Sequence, residues 1–175
     1  MKYLVVSDIH GAFDSTSFIL DVFEKEKCDS IILLGDVLYH GPRNDLPNEY
    51  FPKKVIELLN QYKDKILCIK GNCDAEVDQM VLKFDIINSY DGIMNDIKCH
   101  FEHGHHLDEY KGDAKLVLYG HTHIPANETK DNKHFINPGS ITIPKNNSKR
   151  SYIIWDNHTL TFYDMECNPY DTYTY

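Results

Sequence analysis

The sequence predicts an α/β sandwich, in which two β-sheets pack face to face and helices cover the outside. Up to Phe84, apolar runs alternate with stretches of helical periodicity, which is typical of parallel strands joined by helices. Past Phe84, short apolar runs are separated by turn dipeptides, which indicates mostly antiparallel strands. With 175 residues the chain suits one domain with a substantial core. We therefore expect a single domain over residues 1–175 and assign each half of the chain to one sheet.

Strands and helices alternate in the N-terminal half. Apolar residues recur at helical spacing from Ser15 to Glu26, with Asp14 or Ser15 placed to cap the first turn, and again from Val55 to Tyr62. Short apolar runs predict four buried strands: Tyr3–Ser7, Ile31–Leu34, Ile66–Lys70 and Leu116–Tyr119. The first three alternate with the two helices, so we expect them to pair in parallel through right-handed crossovers.

The remaining segments read as hairpins and loops. Hairpin turns are predicted at Asn95-Asp96, Asp131-Asn132 and Asn157-His158. The stretch Leu38–Pro52 is rich in Pro, Asn and Gly and follows Asp36 closely, so it should form a loop at the rim of any site there. Tyr170–Tyr175 is either an edge strand or a frayed tail.

Composition limits the possible partners. The formal charge is -9 and no basic stripe is present, so nucleic acid is an unlikely partner, although bound cations would admit a small phosphorylated ligand. The five cysteines are odd in number and contain no C-x-x-C, which argues against a disulfide framework. No apolar stretch is long enough for a membrane helix. We expect a cytoplasmic protein without membrane contact, and C-terminal aromatic residues would suit a homo-oligomer.

Short polar segments follow the predicted strands. They are Asp8-Ile9-His10, Gly35-Asp36, Gly71-Asn72, His103-Gly104-His105 and Gly120-His121-Thr122-His123. Ligands of open α/β sheets gather beyond the carboxyl ends of the strands, so these segments should meet at one sheet edge. Their carboxylate, imidazole and amide groups are sufficient for two metal ions. Oxygen and nitrogen ligands without thiolates favour manganese, iron, nickel or zinc.

Each segment alone has an ordinary structural explanation. Asp8 and His10 fit a capping aspartate beside a hydrogen-bonded histidine, Gly120–His123 fits a polar turn, and Asn72 fits a turn residue. The metal prediction therefore depends on all five segments occurring together. Two ions about 3.5 to 4 Å apart would clamp a phosphate and hold a hydroxide for in-line attack on phosphorus. No G-x-S-x-G, P-loop or H-E-x-x-H motif suggests another chemistry.

The order D-x-H, G-D, G-N, H and G-H-x-H resembles the calcineurin-like metallophosphoesterase superfamily. The flanking segments look like its small bacterial YfcE-type phosphodiesterases; they are Gly35–Val37, His40–Asn44, Gly71–Asp74, Glu76–Met80 and Asn137–Ser140. The resemblance extends over about residues 1–156. It implies a four-layer α/β/β/α sandwich of two mixed sheets. It also implies a phosphoric diester hydrolase that cleaves a small phosphodiester with hydroxide bound between two divalent ions, most often manganese.

The resemblance further implies a role for each ligand. Asp8, His10 and His123 would hold the first ion, and Asn72, His103 and His121 the second. Asp36 would bridge the two ions, which makes Asp36 and Asn72 part of the catalytic centre.

One residue departs from the family pattern. Many members carry a histidine after the Asn of G-N, where it is thought to protonate the leaving group, whereas this chain has Cys73. A thiol with an ordinary pKa of about 8.5 donates a proton less readily than an imidazolium at neutral pH. We therefore expect weak action on poor leaving groups and a preference for diesters over monoesters. The alternative for Cys73 is a buried small apolar residue.

Other residues are candidates on the rim. Arg43 is the candidate phosphate contact, with a solvated loop arginine as the alternative. His40 and His105 are spare imidazoles that could contact substrate or donate protons, with a structural role as the alternative. The segment His106–Ala114 is shorter than in relatives, which predicts a lower and more open rim.

Two further functions use the same fold or the same metal centre. One is a protein-interaction scaffold like the retromer subunit, in which the metal site is partly lost. Against it, all seven ligand types stand intact in this chain. The other is a nuclease or a phosphomonoesterase. The acidic charge and the absence of a basic groove argue against a nuclease.

Overall fold

The structure is a computed structural model that describes all 175 residues. It contains three α-helices, α1 (Phe13–Lys25), α2 (Pro52–Leu59) and α3 (Asp78–Val81), and 3-10 helices at Asn60–Lys65 and Leu107–Glu109. The strands are β1 (Lys2–Val6), β2 (Ser30–Leu33), β3 (Ile66–Ile69), β4 (Ile86–Ile87), β5 (Tyr90–Met94), β6 (Ile97–Phe101), β7 (Leu116–Leu118), β8 (Ala126–Lys130), β9 (Lys133–Asn137), β10 (Ser151–Asp156), β11 (Thr159–Asp164) and β12 (Pro169–Thr174).

The strands form two mixed sheets. The first has the order β12-β11-β10-β1-β2-β3-β4 and the second the order β5-β6-β7-β9-β8. Strands β1, β2 and β3 pair in parallel, with Val5 of β1 opposite Ile32 of β2. The prediction of parallel strands with crossover helices in the N-terminal half is therefore confirmed.

The assignment of one sheet to each half of the chain is wrong. Strands β10 to β12 join the first sheet, because β10 pairs antiparallel with the other edge of β1. The expected antiparallel character of the C-terminal half is also only partly correct, since β7 runs parallel to both β6 and β9. β12 is the outermost strand of the first sheet, so of the two alternatives for the C-terminal segment the edge strand is confirmed.

Two apolar layers hold the sheets in place. Apolar side chains from the facing sides of both sheets, including Val5, Ile32, Phe101 and Leu118, are buried between them. On the other side of the first sheet, residues of β1 and β2 pack against α1 and α2. Apolar residues alternate along β1 because one side chain faces the second sheet and the next faces the helices. This packing holds the carboxyl ends of the central strands at one edge.

The helix boundaries differ from the prediction. α1 starts at Phe13, after Ala12, and no side chain caps its first turn. The expected cap by Asp14 or Ser15 is therefore wrong: both residues lie inside α1, where they hydrogen-bond Arg150. α2 starts earlier than predicted, because Pro52 occupies its first position, where a missing N–H costs no hydrogen bond.

Two hairpin turns have the backbone that their sequences predict. Asn95 and Asp96 have φ values of 45° and 65°, and Asp131 and Asn132 have 50° and 59°. Consecutive positive φ angles characterise the turns that match the twist of a hairpin, and Asn and Asp tolerate them well. These turns join β5 to β6 and β8 to β9, as expected. The third predicted turn, Asn157-His158, joins β10 to β11, so its position is confirmed too.

The loop between β6 and β7 covers part of the outer face of the second sheet, where the four-layer sandwich implied by the resemblance would place a helix. Its Tyr110 ring stacks on buried His100 of β6 at 3.8 Å between ring centroids. The two nitrogens of His100 lie 3.0 Å from Asp91 and 3.2 Å from Glu102. The outer layer here is thus a polar, stacked loop containing one 3-10 turn. None of the helices is both long and apolar enough to cross a membrane.

Candidate metal centre

The predicted polar segments meet at one edge of the sandwich. Each segment follows the carboxyl end of a strand: β1, β2 and β3 in the first sheet, and β6 and β7 in the second. Adjacent loops are tied together by backbone hydrogen bonds, such as Asp8 N–H to the Gly35 carbonyl and His10 N–H to the Asp36 carbonyl. The edge therefore collects side chains that are far apart in sequence.

The backbone of these loops is unusual. Five of the predicted ligands have positive φ: Asp8, His10, Asp36, His121 and His123. Non-glycine residues adopt such angles rarely, and they concentrate where surrounding structure imposes them. Asp8 and His10 are thus brought to the same side by left-handed backbone. Residues two apart also point to one side in an extended strand, but the backbone at Asp8 and His10 is not extended, so that simpler explanation for Asp8-Ile9-His10 is wrong.

Two glycines permit the loops to approach each other. Gly35 has a φ of 93°, and a Cβ there would lie 2.6 Å from Nδ1 of His103. A Cβ on Gly71 would collide with the backbone nitrogen and the carboxylate of Asp36. Side chains at either position would force the ligand-bearing loops apart, which is the physical reason for glycine before Asp36 and before Asn72.

Hydrogen bonds fix the tautomers of two buried histidines. Nδ1 of His10 donates to the Tyr39 carbonyl and Nδ1 of His123 donates to the Ile143 carbonyl, both at 2.7 Å. A carbonyl oxygen only accepts, so each Nδ1 carries a proton and each neutral ring leaves a lone pair on Nε2. The two Nε2 atoms face each other at 3.2 Å. This contact is repulsive unless a proton or a metal ion lies between the rings.

His103 repeats this arrangement from the second sheet. Its Nδ1 donates to the Leu34 carbonyl at 2.6 Å, which directs Nε2 towards Asp36 Oδ2 at 3.4 Å and Asn72 Oδ1 at 3.1 Å. In a neutral ring this nitrogen therefore faces two further acceptors. Three imidazoles from different loops thus present electron pairs to the same small region.

The buried carboxylates of Asp8 and Asp36 have no lysine or arginine partner. Oδ2 of Asp8 accepts hydrogen bonds from Ser7 and from the His121 N–H, whereas buried Oδ1 has no hydrogen-bond donor. That free oxygen lies 3.3 Å from Nε2 of His123 and 3.6 Å from Nε2 of His10. Such a set of buried acceptors requires a cation.

Asp36 lies between the two groups of histidines. Its Oδ2 is 3.8 Å from Nε2 of His10 and 3.4 Å from Nε2 of His103. The ligand atoms of Asp8, His10 and His123 lie within 4.8 Å of one another, and so do those of Asp8, Asp36 and His103. The residues present therefore fit a divalent metal ion, and Asp36 lies next to the histidines of both groups.

The pKa shifts of Asp8 and His103 also indicate that the site needs a cation. Burial alone would raise the pKa of Asp8, but the neighbouring imidazoles of His10 and His123 lower it well below its usual range. Burial would lower the pKa of His103, yet the carboxylates of Asp36 and Asp8 raise it to about 9. Without a metal ion, His103 retains a proton that balances the carboxylates.

Asn72 and His121 occupy the more open side of the centre. Asn72 is exposed, and its amide oxygen Oδ1 lies 3.1 Å from Nε2 of His103. The ring of His121 lies 5.1 Å from that of His103 between centroids. The structure places it beside the cluster, but its nitrogens are outside the ligand groups described above. Its role as a ligand stays a prediction.

The chain matches the model of the calcineurin-like phosphoesterase superfamily domain over residues 1–159. It belongs to that superfamily. The sequence is 40% identical to phosphodiesterase YfcE of Escherichia coli over 92% of this chain and 90% of that protein. The structure of E. coli YfcE, described as a phosphoesterase, superposes with a TM-score of 0.94 and covers 99% of both chains at 36% identity. The predicted family, the fold with two mixed sheets and the phosphoesterase class are confirmed.

More distant structures share the fold. Vps29 of Chaetomium thermophilum superposes with a TM-score of 0.66 at 17% identity, covering 99% of this chain and 98% of that one. At such low identity the likeness concerns architecture alone. In this chain, the phosphoesterase architecture carries buried aspartates and histidines at the sheet edge.

Asp74 was not predicted as part of the site, although it holds the centre together. Its buried carboxylate accepts three backbone hydrogen bonds, from Asp36 at 2.8 Å, Val37 at 2.8 Å and Gly71 at 2.7 Å. It thereby joins the loop after β2 to the loop after β3. Its only sequence signal is a charged residue directly after Asn72-Cys73, which gives no indication of these partners.

The segment Asn137–Ser140 is also more than a plain turn. The Asn137 amide donates to the Gly120 carbonyl at 2.7 Å, and the Ser140 hydroxyl donates to the Asp8 carbonyl at 2.8 Å. The segment therefore links the loop after β1 to the loop after β7. Both loops carry predicted ligands of the buried group formed by Asp8, His10 and His123.

Candidate substrate residues of this phosphoesterase surround a small cleft above the cluster. Asp36, Asn72, His121 and His123 line it together with Arg43 and Cys73. Arg43 is exposed on the rim, as predicted for the loop after Asp36. His40 lies outside this lining, and its ring is flanked by those of Tyr39 and Tyr50. The contacts of His40 thus support the structural alternative.

Cys73 and His105 differ in their surroundings. Cys73 lies under the rim, where its sulfur shares one ligand group with His10 and Asp36. Burial, followed by the charge of Asp36, raises the pKa of Cys73 to about 12, which departs from the ordinary thiol value assumed above. His105 is exposed, with its ring 5.5 Å from His103, and burial and the His103 charge lower its pKa.

Proposed function

We propose that this protein is a metal-dependent phosphodiesterase that hydrolyses a small phosphodiester at a centre of two divalent ions. The observation that carries the proposal is the convergence of buried acceptors. The Nε2 atoms of His10, His123 and His103 meet Asp36 and the unpartnered Oδ1 of Asp8. The 40% identity to a phosphodiesterase supports the reaction class.

The proposed ligand sets combine the buried groups seen in the structure with the roles that the family resemblance implies. Asp8, His10 and His123 would hold one ion, and Asn72, His103 and His121 the other, with Asp36 shared. Nitrogen and oxygen donors suit manganese, nickel, zinc or iron, and we expect manganese to support activity best. When bound, such ions supply Lewis acidity and a water of lowered pKa next to the phosphate.

The protein's own residues contribute preorganisation. Each buried imidazole is held by its Nδ1 bond to a backbone carbonyl, so its Nε2 atom is oriented before any ion arrives. The aspartates are ionised well below neutral pH, because hydrogen bonds with the histidines lower their pKa against the effect of burial. The two carboxylates are thus ready to bind cations at physiological pH, and His103 releases a proton when an ion binds.

The leaving group must depart with little help from a protein acid. Cys73 occupies the place where many members of the superfamily carry a histidine, and a thiol donates a proton less readily than an imidazolium at neutral pH. His105 is neutral near pH 7, since its pKa is lowered. We therefore propose that the enzyme prefers esters with acidic leaving groups and favours diesters over simple monoesters.

A panel of metals and substrates tests this function. The chelator-treated protein is assayed with Mn, Ni, Zn and Mg against bis(p-nitrophenyl) phosphate, p-nitrophenyl phosphate and single-stranded DNA. We expect Mn-dependent cleavage of the diester, slower cleavage of the monoester and none of DNA. Cleavage of the monoester alone would refute the proposal, and preferred cleavage of DNA would favour a nuclease.

A matched pair of variants locates the reaction. Asp36→Asn removes the shared charge and should lower kcat by about 100-fold or more. Asp21→Asn makes the same chemical change on the exposed face of α1 and should leave kcat unaltered. If the wild type binds no divalent ion at micromolar concentration, a protein-interaction scaffold becomes the better interpretation.

A further inference from the structure

A groove of about 430 Å³ continues from the cleft above the metal cluster. The two spaces share three lining residues, Arg43, Asn44 and Lys145. A phosphoryl group at the cluster would therefore have one of its ester substituents directed along this groove. The groove has the size of a small-molecule site.

The lining of the groove is polar, with two exposed cations. Arg150 contributes a third cation, but its guanidinium already binds Asp14 at 3.1 Å, the Ser15 hydroxyl at 2.8 Å and a backbone carbonyl. Neither Arg43 nor Lys145 makes a side-chain hydrogen bond or ion pair. One exposed carboxylate, that of Asp45, also lines the groove. The uncompensated charge is therefore positive, in a protein whose net charge is -9.

Lys145 is fixed relative to the metal cluster by its backbone. Its N–H donates to the carbonyl of His123 at 3.3 Å, and the Ser148 hydroxyl donates to the Lys145 carbonyl at 2.7 Å. The cation thus sits on a loop tied directly to a residue of the buried histidine pair. No aromatic side chain lines the groove, so a nucleobase would have no ring to stack on.

We propose that this groove selects phosphodiesters in which one substituent is hydrophilic and carries a negative charge, and that Lys145, with Arg43, binds that charge. The inference rests on the proposed phosphodiesterase function. A carboxylate or second phosphate on the substituent would form charge-assisted hydrogen bonds with the two cations. The substrate class is a small anionic diester, such as one bearing a polyol phosphate or hydroxy acid.

Three esters that share one leaving group provide the test. They are p-nitrophenyl 2-carboxyethyl phosphate, p-nitrophenyl 2-hydroxyethyl phosphate and thymidine 5′-(p-nitrophenyl phosphate). We expect kcat/KM for the carboxyethyl ester to exceed that for either other ester by about tenfold. The ratio of carboxyethyl to hydroxyethyl ester should fall to about one in Lys145→Ala and persist in Lys145→Arg.

A neighbouring lysine supplies the control. Lys149 pairs with Asp164 at 2.8 Å and lies outside the groove, so Lys149→Ala should keep the tenfold ratio. Cleavage of all three esters at similar rates, or a thymidine ester preferred over the carboxyethyl ester, overturns the groove assignment while the hydrolase function stands.

A binding measurement decides the groove even if no ester is cleaved. The probe is methyl(3-carboxypropyl)phosphinate, which is uncleavable because both substituents are joined by P–C bonds, titrated calorimetrically into manganese-loaded protein. A roughly tenfold weaker affinity in Lys145→Ala than in the wild type supports the assignment, and equal affinities overturn it. Failure of hydrolysis with Lys145-dependent binding would therefore refute only the proposed function.

Discussion

Replacing Asp74 with asparagine tests whether the site is built by the packing of its loops. Oδ2 of Asp74 accepts from the backbone N–H groups of Asp36 and Gly71, and Oδ1 accepts from that of Val37. An asparagine has one oxygen, so Asp74→Asn keeps two of these bonds at most. Its NH₂ group then faces a third N–H that it cannot satisfy.

The loss of stability in Asp74→Asn follows from the buried position of Asp74. One unsatisfied buried donor costs about 1–3 kcal/mol, and the two remaining bonds lose their charge assistance. Burial raises the pKa of Asp74, so the neutral amide recovers part of this cost. We expect Asp74→Asn to lower the free energy of unfolding by about 2 kcal/mol. Because the loops carrying Asp36 and Asn72 separate, affinity for Mn should fall by about 10- to 100-fold.

Urea denaturation of metal-free protein and a Mn titration measure these two effects. Asp78 provides the control, since it is similarly buried but accepts a single N–H, from Ala75 at 2.9 Å. Asp78→Asn keeps an oxygen for that bond and should cost less than about 1 kcal/mol. Equal effects of the two variants on stability and on Mn affinity would refute the reasoning.

Two further predictions concern the ligand loops and the second sheet. Gly35→Ala should destabilise the protein by more than about 2 kcal/mol in urea, because Gly35 has positive φ and its Cβ would collide with His103 and with the Gly71 backbone. Gly92→Ala has no positive φ and meets only the hydroxyl end of the Tyr90 ring, so it should cost less, and equal costs would contradict this. Burial lowers the pKa of His100, but its two carboxylate partners outweigh burial and raise it. The stabilisation is therefore complete below the unfolded pKa of about 6.5 and lost as pH rises through the folded value. Accordingly, the stability difference between wild type and His100→Gln should shrink as the pH rises from below about 6.5 to well above it, and a constant difference would contradict the assignment.

Local sequence patterns were sufficient to predict the parallel N-terminal strands, the hairpin turns and the meeting of the polar segments at one sheet edge. These features depend on short-range chemistry: apolar runs bounded by polar turns, and Asn or Asp where φ is positive. The predicted ligand segments were recognisable because so many carboxylates and imidazoles at strand ends are seldom needed for structure alone.

Features that depend on distant contacts were not predictable in this way. β10 joins the first sheet because β1 offers it an edge, and no local pattern in residues 151–156 reveals that edge. The role of Asp74 requires the loops after β2 and β3 to be adjacent. The pKa of Cys73 depends on burial and on the charge of Asp36, which only the folded chain brings together.

The central claim is tested most directly by diesterase activity as a function of bound metal. Metal-free protein is titrated with Mn, the bound ions are counted by elemental analysis, and hydrolysis of bis(p-nitrophenyl) phosphate is followed at each point. The account predicts no activity without metal and full activity at two ions per chain, with Asp36→Asn inactive at any Mn concentration. Undiminished hydrolysis after complete removal of metal, or full activity with Asp36→Asn, would contradict it.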